Sequence, residues 1–111
     1  MPTPIEARDP RLVAELYRAA LRIRRVEERV RDLYAAGRMP GFLHLSIGQE
    51  AVAVGACAPL RPDDAVTSTH RGHGHYLAKG GSLPGLMAEL YGKATGCCRV
   101  AAVRRTLGLA P

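Results

Sequence analysis

Nine residues from Thr67 to His75 read Thr-Ser-Thr-His-Arg-Gly-His-Gly-His, a run of three imidazoles and one guanidinium held open by two glycines. Such a set can hold an anion, ligate a metal or move protons. Arg71 offers planar, paired donors suited to a phosphate, and Gly72 and Gly74 free the backbone for close approach. His70, His73 and His75 have a spacing that a metal accepts. A zinc site takes three or four ligands, however, and Cys97 and Cys98, adjacent in sequence, splay poorly around one ion. Imidazole also suits proton traffic near neutrality. The plain alternative is a solvated loop that has collected Gly and His. Residue chemistry ranks anion binding first and leaves the other readings open. His44, between Leu43 and Leu45, reads by itself as a partly buried loop histidine.

The elements around this run follow from caps and periodicity. Asp9-Pro10 opens a helix, with Asp at the N-cap and Pro where its missing N–H costs nothing. Leu12, Leu16, Ala20, Ile23, Val30 and Tyr34 then recur at three- and four-residue steps, widened by Val26 and Leu33. The helix should close at Gly37, after about 26 residues or ~39 Å. A helix this long needs a larger body to lie against. Its charges, Glu15, Glu27, Glu28 and Asp32 among arginines, read as a solvated face, with Glu27 and Arg31 as an i,i+4 pair. Pro40-Gly41 marks a turn. Ser46-Ile47-Gly48-Gln49 reads as a capping box, opening a small apolar helix, Ala51–Ala58, that is expected to be buried all round and stopped by Pro59. Cys57 in it is a core residue. Arg61–Asp64 is a turn, and Ala65-Val66-Thr67-Ser68 reads as a short strand leading into the histidine loop. Ser82 caps a last helix with Leu83, Leu86, Met87, Leu90 and Tyr91 on one face, closed by Gly92.

Composition narrows the class. The chain has 111 residues, 47% of them hydrophobic, the size of one ordinary domain. No apolar run is long enough to span a bilayer, and Met1–Pro10 lacks the apolar core of a signal peptide. Three cysteines make no disulfide framework, so a reducing cytoplasmic setting is expected. The net charge of +6 raises nucleic acid as a partner. The basic residues are interleaved with acids and lack aromatics for base stacking, since Phe42 is the one Phe and Trp is absent, so no nucleic-acid partner is expected.

Four stretches taken in order carry a resemblance. They are Leu21-Arg22-Ile23-Arg24-Arg25-Val26-Glu27, the run from Gly41 to Ala51, the run from Thr67 to Gly74, and the run from Met87 to Gly96. Together they resemble the α subunit of the thiamine-diphosphate-dependent 2-oxo acid dehydrogenases, over about residues 18–99. The His70–His75 and Tyr91–Gly96 runs are most similar to acetoin dehydrogenase α subunits; pyruvate dehydrogenase α subunits more often have Tyr in place of His70.

The resemblance implies an α/β thiamine-diphosphate-binding fold for the intact protein, of which this chain forms a predominantly helical part with one short strand. It implies an oxidoreductase that decarboxylates a pyruvate-like 2-oxo acid, or cleaves acetoin, and passes the acyl group to a lipoyl carrier. Arg71 would bind the cofactor diphosphate, with His70 assisting. His44 and His73 would be catalytic, contacting the substrate and handling protons. The partners implied are a β subunit and a lipoyl-bearing acyltransferase. Mg²⁺ is implied too, but the family's Gly-Asp-Gly ligand motif is not in this sequence, so no metal ligand is assigned.

Residues 1–99 are thus expected to be the N-terminal part of the dehydrogenase domain, inactive and marginally stable alone. Residues 100–111 depart from the family. Back-translation of Val100–Thr106 in the frame starting at the third base permits Arg-Gly-Gly-Ser-Thr-His, close to the family's continuation, which predicts an out-of-frame tail. The gene sequence downstream tests this. The competing classes are a small His-rich metal-binding protein and a basic nucleic-acid-binding module.

Overall fold

The computed structural model describes residues 9–98, as four helices joined by turns and extended loops. The tail from residue 100 and its predicted frame change lie outside the described residues. Helix α1 spans Pro10–Ala35. Asp9 caps it by accepting from the Arg11 N–H at 3.0 Å. Its end is a Schellman turn: Arg38 N–H donates to Leu33 O, Gly37 N–H donates to Tyr34 O, and Gly37 takes a positive φ of 69°. The long helix and both its ends are as the sequence predicts.

Helix α2 spans Glu50–Cys57, α3 spans His73–Ala78 and α4 spans Leu83–Leu90. Ser82 caps α4 as expected, accepting from Gly85 N–H at 3.1 Å. The C-terminal half of α1 packs against α2 and α3, and α2 against α3. Ile23, Val26, Val30 and Leu33 of α1 bury against Met39, Ala53, Val54, Leu77 and Leu86 to form the core. Val30 is fully buried and Ile23 is 1% exposed. Gly74, in the first turn of α3, makes the α1–α2–α3 contact close. A Cβ there would stand 3.3 Å from Ala53 Cβ, 3.3 Å from Ser46 Oγ and 3.6 Å from Ile23 Cγ2.

Five expectations are corrected. The strand at Ala65–Ser68 does not form: no strand occurs among the described residues. The residues have β-propensity, but propensity makes no ladder without a neighbouring strand to bond. The Ser46–Gln49 capping box does not form either. Gly48 has φ 88°, α2 starts at Glu50, and the Glu50 carboxylate itself accepts the Gly48 N–H, at 3.1 and 3.0 Å. Helix α2 buries only Ala53, Val54, Cys57 and Glu50, while Val52 is 65% exposed. Part of the presumed histidine loop is helix α3. Glu27 does not pair with Arg31 on a solvated face. It is fully buried, and Arg31 bonds Asp32 instead.

The N-terminal half of α1 touches this core only through Leu16, Ala19 and Ala20. Leu12, Val13, Tyr17 and Leu21 are exposed by 41, 52, 66 and 39%. The molecule measures 52 × 31 × 27 Å.

Candidate functional site

Glu27 is the first residue to place, because it is a carboxylate with no exposed surface. It lies four residues after Ile23 and three before Val30, on the stripe that α1 turns to the core. Ser46 N–H donates to Glu27 Oε2 at 3.2 Å, and His73 Nδ1 is 2.7 Å from Glu27 Oε1. A carboxylate accepts, so His73 presents an Nδ1–H to Glu27 and turns its Nε2 away from it. The His73 side chain is 17% exposed and lines a cleft. Three segments far apart in sequence thus fix one imidazole in position and in tautomer. The signal in the sequence is a Glu inside an apolar stripe, although its spacing to Arg31 suggests a surface charge pair.

The cleft has a volume of about 310 Å³. His44, His70 and His73 share it, with Phe42, Leu43, Leu86 and Leu90 among the apolar lining and Glu89, Cys97 and Cys98 at its edge. His44 and His70, 26 residues apart, meet edge to face with ring centroids 4.8 Å apart. His44 is exposed rather than partly buried. Phe42, 70% exposed, stands on the rim. Three of the four site residues named from the sequence therefore converge on one cleft.

Arg71 is placed differently. It is half-buried, does not line the cleft, and donates from Nη1 to Leu45 O. That bond ties the loop carrying His44 to the loop carrying His70. It also uses one of five guanidinium donors, leaving the rest for a ligand. His75 turns away: its Nδ1 lies 2.9 Å from Ser68 Oγ and it lines a second, separate depression. His70, His73 and His75 accordingly do not gather on one ion, and the only three-donor group among the described residues is Glu89, Cys97 and Cys98.

A second charged tie lies behind the cleft. Arg24 of α1 donates from Nε and Nη2 to the Glu50 carboxylate at 2.5 and 3.2 Å. This guanidinium, helped by the Gly48 N–H, holds the Glu50 carboxyl at about 2, against its usual 4.5, outweighing the opposing effect of burial. The same contact raises Arg24 further. At the cleft edge, burial and the neighbouring Cys98 thiol push the Cys97 thiol up.

Residues 18–106 match the family model described as dehydrogenase E1 component. The chain belongs to this family. The acetoin:2,6-dichlorophenolindophenol oxidoreductase α subunit of Bacillus subtilis is 57% identical over 84 residues, 76% of this chain and 25% of that protein. The pyruvate dehydrogenase E1 α subunit of Zymomonas mobilis is 54% identical over 83 residues, 74% of this chain and 23% of that protein. A chloroplastic pyruvate dehydrogenase E1 α subunit of Arabidopsis thaliana is 47% identical over 85 residues, 77% of this chain and 20% of that protein. The E1 chain thus spans about a quarter of the length of these relatives. No solved structure matches it. No helix among its described residues is long and apolar enough to cross a membrane.

Proposed function

We propose that this E1 chain supplies one wall of a thiamine-diphosphate site, in an α subunit that acts on pyruvate or acetoin. The observation carrying this reading is the convergence of His44, His70 and His73 on one cleft, backed by the buried Glu27. The residues present fit such a group. A cleft of about 310 Å³ is at the lower end of the roughly 300–1,000 Å³ typical of small-molecule sites. Its apolar lining suits a heteroaromatic ring, and the imidazoles with the adjacent guanidinium suit an anion.

Thiamine diphosphate, when bound, supplies an electron sink for cleaving a carbon–carbon bond next to a carbonyl. This chain's residues do the rest of the work assigned to this wall. Arg71 binds the diphosphate with the donors not used on Leu45 O, and His70 adds a donor beside it. Mg²⁺, for which this sequence offers no assigned ligand, would neutralise the diphosphate. His44, stacked edge-on against His70, contacts the substrate. His73 receives and returns a proton at Nε2, a role that requires the tautomer set by Glu27. The β subunit supplies the opposite wall, and a lipoyl-bearing acyltransferase takes the acyl group.

Calorimetry with thiamine diphosphate and Mg²⁺ tests the reading, with and without a co-expressed β subunit. The expected result is weak binding alone, tight binding with the β subunit, and loss of both with Arg71→Ala. Absence of binding in the presence of the β subunit, or an unaffected Arg71→Ala, would overturn it.

A further inference from the structure

At the edge of the cleft, outside the histidine constellation, three metal-ligating side chains meet. Cys97 and Cys98 are adjacent, exposed and reduced, and their sulfurs stand 3.9 Å apart. Glu89, on the last turn of α4, is 5% exposed. One donor atom from each of the three lies within 4.8 Å of the other two.

The turn carrying the cysteines is fastened to α4 at two points: Cys97 N–H donates to Gly85 O at 3.2 Å, and Cys98 N–H donates to Glu89 Oε2 at 2.9 Å. The approach depends on Gly96, where a Cβ would fall 2.3 Å from Glu89 Oε2 and 2.7 Å from Glu89 Cα. Only a glycine allows the turn to sit this low on the helix. The two thiols are therefore held beside the carboxylate by backbone bonds, independently of any ion.

The sulfur separation decides what these thiols fit. Two sulfurs on one tetrahedral ion, with bonds of about 2.3 Å, stand roughly 3.8 Å apart. The observed 3.9 Å matches that edge, so sequence adjacency does not prevent both thiols from facing one ion. An ordinary disulfide fits less well, since adjacent Cα atoms are ~3.8 Å apart and disulfides favour roughly 4.4–6.8 Å. Thiolate ligands select zinc-like ions over Mg²⁺ or Ca²⁺.

We propose that Cys97, Cys98 and Glu89 form a three-ligand site for a thiophilic divalent cation such as Zn²⁺ or Cd²⁺, with its fourth position open to the cleft. Both thiols release their protons to solvent on binding. The site lines the same cleft as the proposed thiamine-diphosphate site but uses none of the residues assigned to that cofactor.

The test is titration of the full chain with Cd²⁺, after chelation and under a phosphine reductant. Ultraviolet absorption reports sulfur-to-metal charge transfer, and calorimetry reports stoichiometry. One ion per chain is expected. The charge-transfer band should vanish in Cys97→Ser and Cys98→Ser, two exposed substitutions that should leave helical circular dichroism unchanged. Glu89→Gln should weaken binding by about tenfold or more. Gly96→Val keeps both thiols but pushes the turn off Glu89, and should also lose one-to-one binding. Absence of the band in the parent chain would overturn the proposal. So would undiminished binding by Gly96→Val or by the chain in denaturant, which would reduce the effect to unstructured thiol chemistry.

Discussion

Replacing Glu27 with Gln keeps the side chain's shape and removes one of two acceptors. In the parent structure both neighbours donate to it: the Ser46 N–H at 3.2 Å and His73 Nδ1 at 2.7 Å. A carboxylate satisfies both, whereas an amide offers one oxygen and one NH₂. The Ser46 N–H is fixed by the backbone and must keep the oxygen. The NH₂ then faces His73 Nδ1, which can bond it only by becoming an acceptor and moving its proton to Nε2. Glu27→Gln should therefore move the proton of the neutral His73 ring from Nδ1 to Nε2. A charge-assisted bond of about 1.5–3 kcal/mol gives way to a neutral one of about 1 kcal/mol, a loss of roughly 0.5–2 kcal/mol. With a urea slope near 1–1.5 kcal/mol/M, the unfolding midpoint falls by about 1 M. Long-range proton–nitrogen correlation spectra of the histidine rings read the tautomer directly, and urea unfolding followed by circular dichroism reads the stability. A His73 without a proton on Nδ1 in the parent chain, or an Nδ1 that keeps its proton in Glu27→Gln, would refute the reasoning. Glu27→Leu, which leaves both donors buried without an acceptor, should cost more, about 3–5 kcal/mol.

Gly74→Val places branched carbon where Ala53 and Ser46 already lie at 3.3 Å. It should destabilise the chain by about 1–3 kcal/mol, seen as a lower urea midpoint; an unchanged midpoint would mean that α1, α2 and α3 are less closely packed than described. The Arg24–Glu50 tie predicts an acid limb. The folded Glu50 carboxyl sits at about 2 against 4.5, so its contribution to stability is complete above 4.5 and is lost as the pH falls through the interval down to 2. Glu50→Gln should flatten that limb in urea midpoints measured against pH, and an identical acid limb in parent and variant would remove Glu50 as its source.

The sequence made α1 and α4 legible because their signals are local. Asp9-Pro10, Gly37, Ser82 and the three- and four-residue steps act within a turn or two. It also pointed to His44, His70 and His73, which the structure gathers on one cleft although they come from separate segments. What it did not disclose depends on tertiary partners. Ser46 has the right type and spacing for a capping box, yet its N–H goes to Glu27 of α1 and the Glu50 carboxylate caps its own turn. Ala65–Ser68 has strand-forming residues and no strand to join. The donors of Arg71 suit an anion, and nothing local shows that one of them ties two loops together through Leu45 O.

Glu27 differs from those cases, because its position was visible and its meaning was not. A carboxylate one helical turn from Ile23 and just before Val30 must either break the stripe or find donors inside it. Burial without partners would be costly, so its presence there implies two donors that the sequence alone does not name. The structure supplies them from Ser46 and His73, and the consequence reaches beyond stability. Glu27–His73 closes α1 against α3, and Arg71–Leu45 closes one cleft loop against another. The contacts that hold the fold together are therefore also the ones that aim the cleft. Substitutions at Glu27 or Arg71 should shift stability and ligand binding together, and loss of binding alone does not identify a chemical role. The tautomer of His73 separates the two effects, since Glu27→Gln changes which nitrogen bears the proton even under conditions where the chain stays folded.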